Sequence, residues 1–457
     1  MNFDLLSKYL RLKAFDTTTD QGRADERYRL ALFAMGASLL SRATSMVTMV
    51  LTVSLTIPYL GVERFGVWMT ISSLAGILTF MDLGVGNALT NRVTEAASKN
   101  DQVLLANTIS GGLGFLLLLS LAMIFFLNAV SLVLPWNDLI KANDEVTGSE
   151  MRRSVHVFLV FFSLTIFTSG VQRVFHGLQR GFESHISAVG GSLLSLIVLW
   201  WAASGEAGIP MLLASGMSGQ MAASVALGLL LVRRGLLRPL QITISIRSQF
   251  RNLIKVGWLF FLLQLGTVIG WGADTLIISS TLGASSVAIF SITQKLFLFA
   301  SQPLAIVNAP LWPAFADAHF HGDKAFIRRT LRRTLLGNLI FGLLISLALL
   351  FFAEMIISKW TSDVIKVPFA LLAVYAIWVV CDVLGNAFAM FMNGCNIVKP
   401  QVYGVIALIL VSIPLKLLLI MHFGIEAMLS GFVLFFLLNI SFWYGLVFRQ
   451  EISKELN

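Results

Sequence analysis

Runs of about twenty apolar residues recur from near residue 31 to near residue 448, separated by short polar breaks. Twelve spans follow, at about 31–57, 65–89, 104–134, 155–177, 186–204, 208–232, 254–282, 286–315, 334–353, 367–393, 401–421 and 425–448. They are rich in Leu, Phe, Val and Ile, with Gly, Ala and Ser between, and none alternates strictly between apolar and polar. In hydrocarbon every backbone N–H and C=O needs a partner within the protein, so such spans are helices and not barrel strands. The pattern predicts an all-α polytopic membrane protein.

The pattern also repeats. "IPYLGVERFGVWMTISSLAGILTFMDLGVGNALTNR" follows the first span, and "SSTLGASSVAIFSITQKLFLFASQPLAIVNAPLWPAF" follows the seventh. Setting Leu60-Gly61 on Leu282-Gly283 gives an offset of 222 residues, and at that offset Asp101 falls on Asp323, each just past a span. Six spans separate the copies, so both cross the membrane in the same direction. The reading is two parallel-repeat six-helix lobes around a central cavity, related by an axis along the membrane normal. The expected organisation is a cytoplasmic tail over 1–30, an N-lobe over 31–232 (spans 1–6), a basic linker over 233–253, a C-lobe over 254–448 (spans 7–12) and a tail over 449–457.

Composition agrees with a lipid solvent. Of 457 residues 57% are hydrophobic and only 12% charged, against about 25% in soluble domains. Mean hydropathy is +0.82. A net charge of +9 would suggest nucleic acid in a soluble chain; here its distribution decides. With both termini inside, 24 of the 33 Lys and Arg fall on the cytoplasmic side and 6 on the other, which fixes the orientation and calls for anionic lipid head groups and no nucleic acid. Cys381 and Cys395, in or beside one apolar segment, make neither a disulfide framework nor a metal site. The polar start lacks the apolar core of a signal peptide. Within it "LLSKYLRLKAF" reads either as an amphipathic surface helix or as an unstructured tail.

"LTFMDLGVGNALTNR" ends the second span. Asp82 lies about 17 residues into a span entered from outside, so it approaches the cytoplasmic interface. Gly84 and Gly86 loosen the last turns, and no Gly-Lys-Ser/Thr follows, which excludes a phosphate loop. Asp82 and Arg92 are read as parts of a helix exit or a cytoplasmic gate.

These residues also carry a resemblance. "LGVERFGVW" followed by "FMDLGVGNALTNRV", "FHGLQRGFESHISAVGGSLLSL" at spans 4–5 and its looser counterpart "MNGCNIVKPQVYGVIALIL" at spans 10–11 resemble the bacterial O-antigen and exopolysaccharide flippases. These are the polysaccharide-transporter members of the multidrug/oligosaccharidyl-lipid/polysaccharide exporter superfamily. The resemblance covers spans 1 to 12, and its first motif is the most specific. It implies a V-shaped two-lobe exporter in the inner membrane. Such a protein moves polyprenyl-diphosphate-linked oligosaccharide from the inner to the outer leaflet by alternating access, for O-antigen or exopolysaccharide assembly, in company with polymerase machinery.

A charge at bilayer depth costs roughly 2.5–3.5 kcal/mol on insertion scales and so marks a pathway. Arg42 lies in span 1, Asp274 in span 7, Lys295 in span 8, Asp382 and Asn386 one turn apart in span 10, and Lys416 in span 11. Arg42, Lys295 and Lys416 are candidates for a cationic cavity that binds a diphosphate, Arg42 best because its fork matches phosphate oxygens. Other readings stand beside this one: Lys295 paired with Asp274 at similar depth, and Lys416 snorkelling to the outer face. Asp274, Asp382 and Asn386 are candidates for coupling to H+ or Na+. Gly266, Gly270 and Gly272 before Asp274 would unwind the helix there, or else pack it closely against a neighbour. An acidic pairing between the seventh and tenth spans is what the resemblance implies for coupling. Pro303, Pro310, Pro313 and Pro414 are expected bending points.

Two other function classes compete. A cation-coupled exporter of small amphipathic compounds needs acidic and aromatic linings, whereas the deep charges here include at least as many basic as acidic residues. An enzyme joining sugars needs a sizeable outer loop, and the longest, Leu134 to Ser154, is short. His156 at its edge reads as an interfacial histidine, and no nucleophile or metal-ligand constellation appears. The sequence therefore points to transport without a cofactor other than a coupling ion, and not to catalysis.

Overall fold

A computed structural model describes residues 19–78, 81, 85–99, 101–142, 146–237, 273–308, 311–395, 397 and 399–456. Among them there is no strand. The helices are α1 (Asp20–Leu78), α2 (Val85–Ser98), α3 (Gln102–Val133), α4 (Gly148–Gly177), α5 (Gly181–Ser204), α6 (Ile209–Arg233), α7 (Asp274–Leu282), α8 (Ala284–Asn308), α9 (Leu311–Phe320), α10 (Lys324–Trp360), α11 (Phe369–Gly394) and α12 (Lys399–Leu456), with a single turn at Trp136–Leu139. Nine of them are long and apolar enough to cross a membrane. Two of these nine hold two spans each, α1 bent at Gly61 and α12 at Gly424. Eleven of the twelve expected spans are therefore described. Of the seventh only α7 is; Gly266, Gly270 and Gly272 lie outside the described residues, as do Asp82, most of the basic linker and "LLSKYLRLKAF". This is a multi-pass membrane protein.

The 222-residue repeat is written in the backbone. Gly61 has φ +71° and ψ 174°, Gly283 φ +90° and ψ 172°, a region that only glycine enters without strain. Asp101 and Asp323 are both helix N-caps. Asp101 accepts from the N–H groups of Val103 and Leu104, and Asp323 from that of Phe326, each satisfying donors that the first turn leaves orphaned. Within spans 2 and 8 the described helices end at Leu78 and Asn308 and begin again at Val85 and Leu311. Pro58, Pro303 and Pro414 stay inside helices, so the sharp turns of α1 and α12 belong to glycines.

Two compact units result. The first comprises Met1–Tyr59, Leu78–Trp136 and Thr147–Leu265; the second comprises Leu60–Ile77, Asn137–Val146 and Gly266–Asn457. The first is cored by Val85, Leu89, Ile109, Leu113, Val174 and Phe175 from α2, α3 and α4. Lipid gives helices little hydrophobic reason to associate, so close approach and hydroxyl bonds hold them. A Cβ on Gly219 would lie 2.0 Å from the Gly191 carbonyl oxygen, which sets the α5–α6 seam, and Ser120 donates to the Ser163 carbonyl at 2.7 Å between α3 and α4.

The second unit uses the same devices. Ser346 on α10 donates to the Ala376 carbonyl on α11 at 2.7 Å. The segment Leu60–Ile77 is fastened to this unit rather than to the helices that flank it in sequence. A Cβ on Gly66 would fall 1.8 Å from the Ala284 carbonyl oxygen, Ser285 donates to Glu63, and Thr275 donates to Ser73.

Candidate functional site

The second unit holds a cavity of about 310 Å³ walled by α7, α8, α11 and α12. Asp274, Tyr375, Trp378, Asp382 and Phe432 face it. Asp274 is 7% exposed and starts α7. Its Oδ1 accepts from Lys416 Nζ at 2.6 Å, and the same ammonium stands 3.9 Å above the Phe432 ring. Asp382 is half-buried. The Tyr375 ring stacks on Phe297 at 5.5 Å, and its buried hydroxyl has no hydrogen-bond partner among the described residues. A polar atom so placed beside a carboxylate is the kind of group that an ion or water satisfies.

This arrangement corrects two readings. Lys416 does not snorkel: it is 1% exposed and its charge is matched by Asp274. Lys295 is not the partner of Asp274. It is half-buried on α8, and its neighbour Gln294, not Lys295, lines the cavity. The reason is depth. The turn that ends span 11 comes at Gly424, about a helical turn later than the apolar pattern suggests, so Lys416 stands eight residues from its turn and Asp274 nine from Gly283. Of the three candidate cavity cations, Lys416 is thereby neutralised.

Asn386 joins a different group. Asn308, at the end of α8, donates to Asn386 at 3.2 Å and to Asn338 at 3.0 Å, and Asn338 donates back at 3.1 Å. Three amides from α8, α11 and α10 thus meet at the last residue of α8.

The first unit contributes cations. Arg42 on α1 is exposed and near enough to His185 for its charge to act on the imidazole. His185 packs its ring on His176 with centroids 5.4 Å apart, and Arg173 stands near His176. The turn between α4 and α5, with Gln179 at φ +58°, brings the two histidines together. Glu183 in the first turn of α5 is bonded to Arg180 at 3.1 Å and to Arg234 at 2.9 Å. Arg92 on α2 pairs with Glu95 at 3.3 Å, and Lys99 reaches the same carboxylate at 2.8 Å. The Lys99 hydrogen bond and charge, with Arg92 behind them, hold the Glu95 carboxyl below the usual range. His156 Nδ1 lies 2.7 Å from Asn128 Oδ1, a pairing within the helices.

Tyr375, Trp378, His176 and His185 were not marked by the apolar pattern. Only the histidines carried a signal, as a pair flanking the short break in "FHGLQRGFESH".

A model of the polysaccharide biosynthesis protein family matches residues 31–319, well over half the chain. The chain belongs to this family. A second family model, MatE, matches residues 262–418. Among curated relatives, a Yersinia pseudotuberculosis protein named for a proposed role in O-antigen export is 19% identical over 436 residues, which is 91% of this chain and 94% of that one.

Solved structures share the fold of this polysaccharide-family chain. An inward-facing multidrug resistance MATE transporter of the MOP superfamily aligns with a TM-score of 0.75 at 13% identity, over 92% of this chain and 98% of its own. The lipid II flippase MurJ, in an inward closed conformation, aligns at 0.65 and 14%, over 93% and 89%. The two-lobe helical fold is thus shown, and the resemblance carried by "LGVERFGVW" agrees with the family whose model the chain matches.

Proposed function

We propose that the protein moves a polyprenyl-diphosphate-linked oligosaccharide from the inner to the outer leaflet of the cytoplasmic membrane by alternating access, for O-antigen or exopolysaccharide assembly. The observation that carries this reading is the basic group of the first unit, Arg42 with Arg173, His176 and His185. A diphosphate cannot cross hydrocarbon bare, and guanidinium and imidazole N–H groups replace its water with charge-assisted hydrogen bonds. The membrane potential assists, since an anion leaving a negative interior gains about 2.3 kcal/mol per charge per 100 mV. Both termini lie in the cytoplasm in this reading, and polysaccharide polymerase machinery takes the product on the far side.

The second unit supplies coupling. Asp274 and Asp382 face one cavity with the unpartnered Tyr375 hydroxyl, and a proton or sodium ion that reaches Asp274 competes there with Lys416. The named relatives support the substrate class by analogy.

The decisive experiment is made in cells lacking the protein, following diphosphate-linked oligosaccharide lipid and its accessibility from each leaflet. Accumulation on the inner leaflet with loss of surface polysaccharide is the expected result. Normal arrival of the lipid at the outer leaflet would overturn the reading. It would favour the second one, a cation-coupled exporter of amphipathic compounds, for which the aromatic and acidic lining of Trp378, Phe432, Asp274 and Asp382 speaks.

A further inference from the structure

α10 is 37 residues long, about 55 Å, whereas roughly 20 residues cross the hydrocarbon core. One stripe of it, including Ile327, Leu331, Gly342 and Leu349, is buried. The opposite face is exposed and apolar at Leu336, Ile340, Leu344, Leu347 and Phe351. The same face continues one turn earlier as Arg328, Arg329, Arg332 and Arg333, all exposed. The spacing i, i+1, i+4, i+5 sets four guanidiniums in two adjacent rows over about one and a half turns. They therefore stand at head-group level, directly below a lane on which acyl chains pack.

Among the described residues no ion pair engages any of the four. The repeat supplies the control: 222 residues earlier, on α3, the same positions are Ala106, Asn107, Ser110 and Gly111, buried or half-buried and uncharged. The fold thus does not require cations here. The arginines belong to the second half alone, and they face lipid rather than the cavity of Asp274 and Asp382.

We propose that Arg328, Arg329, Arg332 and Arg333, with the apolar lane above them, bind the anionic head group of a phospholipid of the adjoining leaflet. Two arginines on each of two rows grip phosphate oxygens in the bidentate manner that lysine cannot match. This site is separate from the transport path and does not depend on what the transporter carries.

The test uses the full-length protein in detergent micelles, with phosphatidylglycerol or phosphatidylcholine added and retained lipid counted by native mass spectrometry. Wild type retains phosphatidylglycerol over phosphatidylcholine. R328Q/R329Q/R332Q/R333Q retains it on the order of tenfold less, and R152Q/R153Q, which changes an exposed pair elsewhere, retains it like wild type. The half-variants R328Q/R332Q and R329Q/R333Q each lose part of the binding and replace the quadruple variant if it does not fold. Equal retention by the arginine variants, or equal binding of phosphatidylcholine, overturns the proposal. So does a strong preference of the wild-type site for polyprenyl diphosphate over phosphatidylglycerol, which would make it a substrate dock instead.

Discussion

Replacing Lys416 with Met removes a buried ammonium and keeps the bulk of its stem. Asp274, 7% exposed, then loses its 2.6 Å partner. Stripping one member from a buried ion pair costs about 3–5 kcal/mol, because the remaining charge stays desolvated. The second unit has about 220 residues. For a domain of that size each kcal/mol moves the melting temperature by about 2–4 °C, so K416M melts roughly 6–20 °C below wild type. D274N strands the ammonium instead and costs a similar amount. The double variant D274N/K416M buries no charge, and neutral replacement of a whole pair is often harmless, so it melts within about 3 °C of wild type. Thermal unfolding followed by tryptophan fluorescence in micelles, run on all four proteins as a double-mutant cycle, measures the coupling. K416M melting like wild type, or a double variant with the sum of the two losses, would refute the pairing.

Transport separates the two units: R42Q abolishes outward movement of lipid-linked oligosaccharide while D274N only slows it, and equal residual transport would end that division of labour. G66V, whose Cβ meets the Ala284 carbonyl, costs about 3 kcal/mol or more, since backbone cannot give way as a side chain does. G76A on the same helix has nothing within 4 Å and is tolerated, and comparing folded yield of the two checks the contact. Carboxyl NMR should find Glu95 titrating below the ordinary glutamate range, because the Lys99 hydrogen bond and charge favour its carboxylate. Its stabilising pair is present above the unfolded-state value near pH 4.3 and lost as pH falls through the lower folded value. K99Q moves the titration back up; no movement would mean that Lys99 is not the cause.

The spans, their number and the repeat were legible because each is a one-dimensional property: apolar length, and spacing along the chain. Asp101 and Asp323 could be matched by counting alone, and both cap helices. Pairing inside the bilayer was not legible. It depends on depth and on helix rotation, and a span edge misplaced by one turn, as at Gly424, was enough to exchange Lys295 for Lys416 as the partner of Asp274. Tyr375 and Trp378 were hidden for a related reason, since an aromatic residue in an apolar span looks the same in a packed core as on a cavity wall.

The motif that identifies the family most sharply turns out to be a packing device. In "LGVERFGVW", Gly61 makes the positive-φ turn, Glu63 accepts from Ser285, Phe65 is fully buried and Gly66 lies against Ala284. Glu63 and Gly66 fasten Leu60–Ile77 to the rest of the second unit, and none of the four lines the cavity of Asp274. What marks the family is therefore how this segment is held. In the proposed function, the cargo is met by side chains outside the motif, Arg42 among them. A variant within the motif should accordingly lose folded protein before it loses transport per folded molecule, whereas R42Q should leave the folded yield intact and abolish transport.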